Sequence, residues 1–146
     1  MMSLENKLLQ ITRLQGELLR EHKLGHPDWY AEMLVCAHTG GQLALTNNPK
    51  YDIETTDYGK IQVKCRVNGT DTTQNRTNFG KYKQGDFEYA AIIIFQSDYT
   101  IYGASLIPQI DVLSLVRPAG HVKWIDVENH KNSICIKKQL KSISCE

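Results

Sequence analysis

The chain has 146 residues, of which 41% are hydrophobic and 23% are charged, and its formal net charge is +1. This length and composition are typical of one globular domain with its own hydrophobic core, so a single domain over 1–146 is predicted. No apolar run approaches the roughly 18 residues of a membrane span, which predicts no membrane association. Four cysteines without metal-ligand spacing argue against a zinc site and favour a reducing cytoplasm.

Charge is unevenly distributed along the chain. Residues 60–84 carry six basic side chains and one acidic one, for +5, and residues 117–141 carry six and two, for +4. Because the total is +1, the remaining residues sum to −8. Basic segments of this kind favour a polyanionic partner.

Two helices are predicted at the start of the chain. Residues 4–23 place Leu4, Leu8, Ile11, Leu18 and Leu19 near one stripe, as in an amphipathic helix. Gly25-His26-Pro27 interrupts it, and Pro27 suits the first position of a second helix, "PDWYAEMLVCAHT", which ends at Gly40-Gly41.

Strands dominate the middle of the chain. Residues 51–55 and 60–67 are predicted to form a hairpin, with turns at Asn47-Asn48-Pro49 before it and Asn68-Gly69 after it. Residues 70–86 contain no aliphatic side chain and are predicted to form a long loop, a feature that is often functional in small domains.

The second half of the chain predicts a buried strand and its neighbours. "YAAIIIF" is a continuous apolar run, typical of a strand buried on both faces, and "TIYGASLI" follows as its neighbour. Pro108 is predicted to open a short helix, "VKWIDV" a late strand, and "SICIKKQLKSI" is ambiguous. The fold class predicted from this order is α/β, a mixed sheet flanked by helices, with a core over about 27–116.

One face of the predicted hairpin concentrates polar groups. At a period of two, Ile61, Val63, Cys65 and Val67 point to one side of the strand, and Gln62, Lys64 and Arg66 to the other. A hairpin centred near residue 58 places Asp52 opposite Lys64, and one centred near 57 places it opposite Gln62. All three side chains share a face under either register, so a carboxylate, an amide and an ammonium group are expected within a few ångströms.

Glu32 is the only ionisable residue between Trp29 and Ala37. It is the sixth residue of the predicted helix, beyond the first turn where the helix dipole favours an acid. A carboxylate among apolar neighbours is costly unless it is paired or binds a metal. A surface glutamate on an incompletely buried helix is the alternative.

The order of these features resembles the PD-(D/E)xK nuclease superfamily, which has the restriction-endonuclease-like fold. The resemblance covers roughly residues 27–107: a helix with Glu32, Asp52 in "YDIE", then Gln62-Val63-Lys64 on the next strand and the apolar "AAIIIF" strand. The sequence departs from the family pattern at Tyr51, where the family has proline, and at Gln62, where it has an acid.

The resemblance implies a catalytic set of Glu32, Asp52, Gln62 and Lys64. Asp52, Gln62, the main-chain carbonyl of Val63 and Glu32 are expected to hold Mg²⁺, with Mn²⁺ as a substitute, because magnesium prefers oxygen ligands. Lys64 is expected to act on the attacking water. The implied function is magnesium-dependent hydrolysis of DNA phosphodiesters.

Nucleic-acid contacts are expected beside this set. Arginine, lysine and asparagine side chains commonly contact phosphates and bases in protein–DNA complexes. The predicted DNA-binding residues are Arg66, Arg76, Asn78, Lys81 and Lys83. Asn75, Thr77, Phe79 and Tyr82 of the same segment are further candidates. Because one site cuts one strand, double-stranded DNA predicts a homo-oligomer, joined through the 4–23 helix.

Two other interpretations remain open at the level of sequence. The first is a catalytically inactive DNA-binding module that retains the nuclease fold, with Gln62 as a sign of lost metal binding. The second is an interaction domain with a solvated hairpin, which requires Glu32 to be exposed. The choice between restriction, homing, resolvase and repair roles is not encoded in these features.

Overall fold

The structure is a computed structural model that describes residues 1–44, 50–67 and 75–146. Five helices are described: α1 (Leu4–His22), α2 (Pro27–Thr39), α3 (Gln109–Ser114), α4 (Trp124–Glu128) and α5 (Lys137–Ser144). The described strands are β1 (Gln42–Leu43), β2 (Ile53–Thr55), β3 (Gly59–Val67), β4 (Arg76–Asn78), β5 (Tyr89–Phe95), β6 (Ile101–Pro108), β7 (His121–Lys123) and β8 (Ile134–Cys135). No helix of these ranges is long and apolar enough to cross a membrane.

A six-stranded mixed sheet forms the centre of the fold, in the order β1-β2-β3-β5-β6-β8. The β3–β5 pair is parallel and the other pairs are antiparallel. This arrangement confirms the predicted mixed sheet with helices.

Strand β5 is buried on both faces, as its apolar run predicted. Ala91, Ile93 and Phe95 face a core built with α1, α2 and α5, whereas Ala90, Ile92 and Ile94 face a second core with α3, α4 and buried aromatic residues. The sheet is therefore the middle layer of three.

Both ends of α2 follow from the sequence. Pro27 occupies the first turn, and Gly40 adopts the left-handed conformation (φ 67°) at the C-cap, where glycine has no Cβ penalty. Tyr30, Leu34 and Val35 are buried, so the helix is held firmly against the sheet. This packing fixes the height and rotation at which Glu32 leaves the helix.

The predicted stripe on α1 is only partly correct. Leu19 is buried and Leu8 packs against the core, but Leu4, Ile11 and Leu18 are exposed. The buried side of the helix is instead completed by Thr12 and Gly16. At Gly16 a Cβ atom would stand 2.7 Å from the Tyr30 hydroxyl, so a small residue permits close packing of α1 on α2.

The prediction of a long loop over 70–86 is only partly correct for its described part, 75–86, because three of those residues form a strand. Strand β4 pairs with β7, and Phe79 is fully buried in the second core together with Tyr82 and Phe87. The segment has no aliphatic side chains, but its aromatic side chains supply the apolar surface that is buried in the second core. The predicted turns at 47–49 and 68–69 and the start of the loop lie outside the described residues.

The late strand "VKWIDV" is also only partly correct. It ends at Lys123, and Trp124 begins α4. Trp124 and Val127 are buried at helical spacing, and the Trp124 indole donates a hydrogen bond to Glu128 at 2.6 Å. The ambiguous C-terminal segment divides into β8, which pairs with β6, and α5.

Candidate active site

The hairpin register places Asp52 beside the middle of β3. Ile53 pairs with Ile61 and Thr55 with Gly59, and the Asp52 backbone N–H donates to the Ile61 carbonyl at 2.8 Å. This is the register centred near residue 57, so Asp52 lies level with Gln62. The alternation of side chains along the strands predicts that Asp52, Gln62 and Lys64 share a face in either register, and the structure shows which register forms.

The Asp52 carboxylate takes the place of a β2 main-chain partner for Val63. Its Oδ2 accepts a hydrogen bond from the Val63 N–H at 2.8 Å. The N–H and carbonyl of one strand residue point to the same side of the strand. The Val63 carbonyl therefore also faces the side on which β2 lies, at a level that β2, which begins at Ile53, does not cover. Its one described partner is the Gln62 side-chain amide at 3.5 Å, a weak bond that leaves this oxygen available to a ligand.

Glu32 approaches the hairpin from α2. It is half-buried, and its carboxyl group lies close enough to that of Asp52 for the two to share a hydrogen bond. Burial, together with the nearby carboxyl groups of Asp52 and Asp28, raises the pKa of Glu32 to about 8. The open-solvent interpretation of Glu32 is therefore not supported, and the raised pKa favours the protonated form of the Glu32 carboxyl group.

Gln62 is 6% exposed and is part of the floor of the site. Its amide nitrogen is directed at the Val63 carbonyl, which turns the amide oxygen away from that carbonyl. No described donor reaches this oxygen. An amide in this position offers a neutral oxygen that can serve as a ligand.

Lys64 completes the predicted set, and its surroundings are aromatic and basic. Its ammonium nitrogen lies 5.1 Å from the centroid of the Tyr82 ring, and Lys81 lies 5.3 Å from the same centroid. Burial lowers the pKa of Lys64, and the positive charge of Lys81 acts in the same direction. The ring holds both ammonium groups at the site by cation–π attraction.

These residues line one open pocket of about 460 Å³. Its other walls come from α2, the outer half of β3 and the segment around β4. The lining residues are Asp28, Ala31, Glu32, Asp52, Gln62, Val63, Lys64, Cys65, Arg66, Arg76, Thr77, Asn78, Lys81 and Tyr82. All four residues of the predicted catalytic set and four of the five predicted DNA-binding residues therefore meet at one place.

Some residues of the predicted DNA-binding segment do not face the pocket. Lys83 is exposed but does not line the pocket; its backbone N–H bonds to Asp86 and its carbonyl to Gln109. Asn75 and Phe79 are 1% and 0% exposed, so neither presents its side chain to a ligand. The local β4–β7 pairing turns alternate residues inward, which a loop interpretation could not reveal.

Two residues of the pocket were missed by sequence reasoning. Asp28 is four residues before Glu32, and this spacing places both acids on one face of α2. Cys65 packs against the first core and donates its thiol hydrogen to Asp28 at 3.0 Å.

The oxygen donors of the pocket fit a hard divalent cation. Within the described ranges no three His, Cys, Asp or Glu side chains cluster as a metal site, so two carboxylates would need support from amide and main-chain oxygens. Asp52, Glu32, Gln62 and the Val63 carbonyl are such a set, and all are oxygen donors. A bound cation would displace the proton that the raised pKa of Glu32 favours on that carboxyl group.

The pKa of Glu32 makes the stability of the metal-free protein depend on pH. Because the folded state keeps a proton that the unfolded chain releases, the free energy of unfolding should fall as pH rises between about 4.5 and about 8. Glu32→Gln, which cannot ionise, should remove most of this fall. Urea unfolding across this window, with a chelator present, measures the effect. Equal pH slopes for the two proteins would contradict the raised pKa of Glu32.

Neither a comparison with models of known protein families nor one with curated protein sequences finds a match for this chain.

Proposed function

We propose that the chain is a magnesium-dependent deoxyribonuclease of the PD-(D/E)xK type, with a restriction-endonuclease-like fold. The observation that carries this proposal is the convergence of the Glu32 and Asp52 carboxyl groups, Gln62, the Val63 carbonyl and Lys64 in one pocket. The element order supports it as well, since Glu32 lies on a helix, Asp52 immediately precedes the first strand of the hairpin, and a buried parallel strand follows.

Each pocket residue has a distinct part in this proposal. Asp52 and Glu32 would bind the magnesium ion by their carboxylates, assisted by Gln62 and the Val63 carbonyl. When bound, the ion lowers the pKa of a coordinated water and offsets negative charge that develops on the phosphate. Lys64, held over Tyr82, would orient the water and stabilise charge on the phosphate oxygens.

Basic residues at the mouth of the pocket supply a surface for the DNA backbone. Arg66 and Arg76 are exposed there, and Lys81 lies over Tyr82. Arg76 pairs with Lys123 across β4 and β7, so the two basic segments of the sequence meet beside the pocket. Residues directly opposite in a strand pair share a face, so Arg76 and Lys123 lie on the same face of the β4–β7 pair. Two positive charges on one face beside the pocket favour a polyanion rather than a small neutral substrate.

Gln62 favours a second candidate function, DNA binding without cleavage. An amide replaces the charged ligand that the family pattern has, which weakens the attraction for a divalent cation. Incubation of the wild-type protein with supercoiled, branched and single-stranded DNA separates the two candidates. We expect cleavage with Mg²⁺ or Mn²⁺ and binding alone with Ca²⁺. A protein that binds DNA but cuts none of these substrates would leave only the binding module.

The proposed DNA surface predicts a specific salt dependence. Replacing Arg66, Arg76 and Lys81 together by alanine should flatten the slope of log affinity against log salt by about two to three units, because each phosphate contact releases a counterion. Fluorescence anisotropy in Ca²⁺ measures the slope. The matched control removes the same charge from α5, at Lys137, Lys138 and Lys141, which do not line the pocket. A slope that changes only in the control would move the DNA surface to α5.

A further inference from the structure

The outer face of α1 is apolar and exposed. Leu4, Ile11, Leu14 and Leu18 are 80%, 51%, 58% and 43% exposed, although the opposite side of the same helix is buried against α2 and α5. Single exposed leucines are common on protein surfaces, but four on one strip of a helix mark an interaction surface. This strip is defined here as the α1 seam.

The spacing of the α1 seam is that of a coiled coil. Positions 4, 11 and 18 are seven residues apart, and position 14 follows 11 by three, as in the a and d positions of a heptad. The remaining d positions are Lys7 and Glu21, near the two ends of the helix. A second helix with the same spacing is the partner that such a seam accommodates.

The two charged positions determine the direction of that partner. In a parallel pair of identical helices, Lys7 would face Lys7 and Glu21 would face Glu21, and both contacts are repulsive. In an antiparallel pair, Ile11 lies level with Leu14 of the second copy, and Lys7 comes within reach of Glu21 and Glu17 of that copy. Both residues are exposed, and the described contact of Glu21 is a 3.9 Å approach to His22.

We propose that the chain forms a two-fold symmetric dimer through an antiparallel pairing of the α1 seam. In a two-fold symmetric dimer the same surface of each copy contacts the other copy. One partner therefore covers the α1 seam completely, and the assembly does not grow into a filament. Because α1 packs on α2, which carries Glu32, the dimer would join two pockets in one assembly. Cleavage of both DNA strands by the two pockets rests on the proposed nuclease function, but dimerisation itself does not.

Sedimentation equilibrium over a series of protein concentrations tests the proposal. We expect a dimer for the wild type and a dissociation constant raised about 30-fold or more in Ile11→Glu/Leu14→Glu, since charges replace the centre of the seam. Both residues are exposed in the single chain, so the variant should keep its circular dichroism and folding. Ile110→Glu, at an exposed isoleucine of α3, is the control and should remain dimeric. A monomeric wild type at all concentrations would overturn the proposal.

Charge reversal tests the direction of the pairing. Lys7→Glu and the pair Glu17→Lys/Glu21→Lys should each weaken the dimer, and the triple variant Lys7→Glu/Glu17→Lys/Glu21→Lys should restore it, because the antiparallel contacts then have exchanged signs. A parallel pair would show no such restoration, since like charges face each other at positions 7 and 21 in the wild type and in the triple variant. If neither Lys7→Glu nor Glu17→Lys/Glu21→Lys weakens the dimer, the antiparallel arrangement is also overturned.

Discussion

Asp52→Asn should abolish magnesium-dependent DNA cleavage, with a loss of at least about a thousandfold, or roughly 4 kcal/mol in the activation barrier. The substitution removes the charge of the proposed metal ligand but retains an oxygen that can accept the hydrogen bond from the Val63 N–H, which now measures 2.8 Å. The fold and the hairpin register should therefore survive. Single-turnover cleavage of a labelled duplex, with DNA binding measured separately in the absence of metal, gives the result.

The matched control for this variant is Glu54→Gln. Glu54 is two residues further along the hairpin, carries the same charge and is exposed outside the pocket, where the Tyr51 hydroxyl contacts it at 3.3 Å. Its loss should leave the cleavage rate within about twofold, as for a surface change remote from the site. If both variants cut as well as the wild type, Asp52 is not a catalytic residue.

Lys64→Met should also abolish most cleavage, by about a hundredfold or more, but by a different route. The substitution removes the ammonium group proposed to stabilise the phosphate and leaves every oxygen ligand in place. Metal affinity should stay the same or increase, because a positive charge near the cation is lost. Calorimetric titration with Mn²⁺, paired with single-turnover kinetics, separates this outcome from that of Asp52→Asn.

Lys60→Met is the control on the same strand. Lys60 has the parity of Lys64 but is exposed, does not line the pocket and lies over the Tyr51 ring at 5.0 Å. Its cleavage rate should be unchanged. A Lys64 variant that loses metal binding together with activity would mean that the lysine maintains the site rather than acts on the substrate.

The hairpin and Glu32 could be predicted because local rules determine them. Because side chains alternate between the two faces of a strand, Asp52, Gln62 and Lys64 share one face for either position of the turn. A single acid in an apolar helix is costly to bury unless another group pairs with it, which marks Glu32. The register could not be predicted, because both turn geometries fit the sequence. It is fixed by the Asp52 N–H bond to Ile61, a contact within the folded hairpin.

Short elements were missed because their stability comes from packing. Strand β4 has three residues and gains its position from β7 and from the burial of Phe79, neither of which leaves a periodic pattern. The same holds for α4, whose five residues are too few to show helical periodicity before Trp124 is seen in the core. The aromatic contact that holds Lys64 depends on this misread segment, so it could not be anticipated either.

The proposed activity depends on a divalent cation held by the oxygens of the pocket, and a crystal structure of the wild-type protein soaked with Mn²⁺ tests this most directly. We expect an anomalous difference peak within coordinating distance of the Asp52 carboxylate and the Val63 carbonyl, with Glu32 deprotonated beside it, and no such peak in Asp52→Asn. A wild-type map without a peak in the pocket, at a Mn²⁺ concentration that saturates the crystal, would contradict the metal-dependent nuclease.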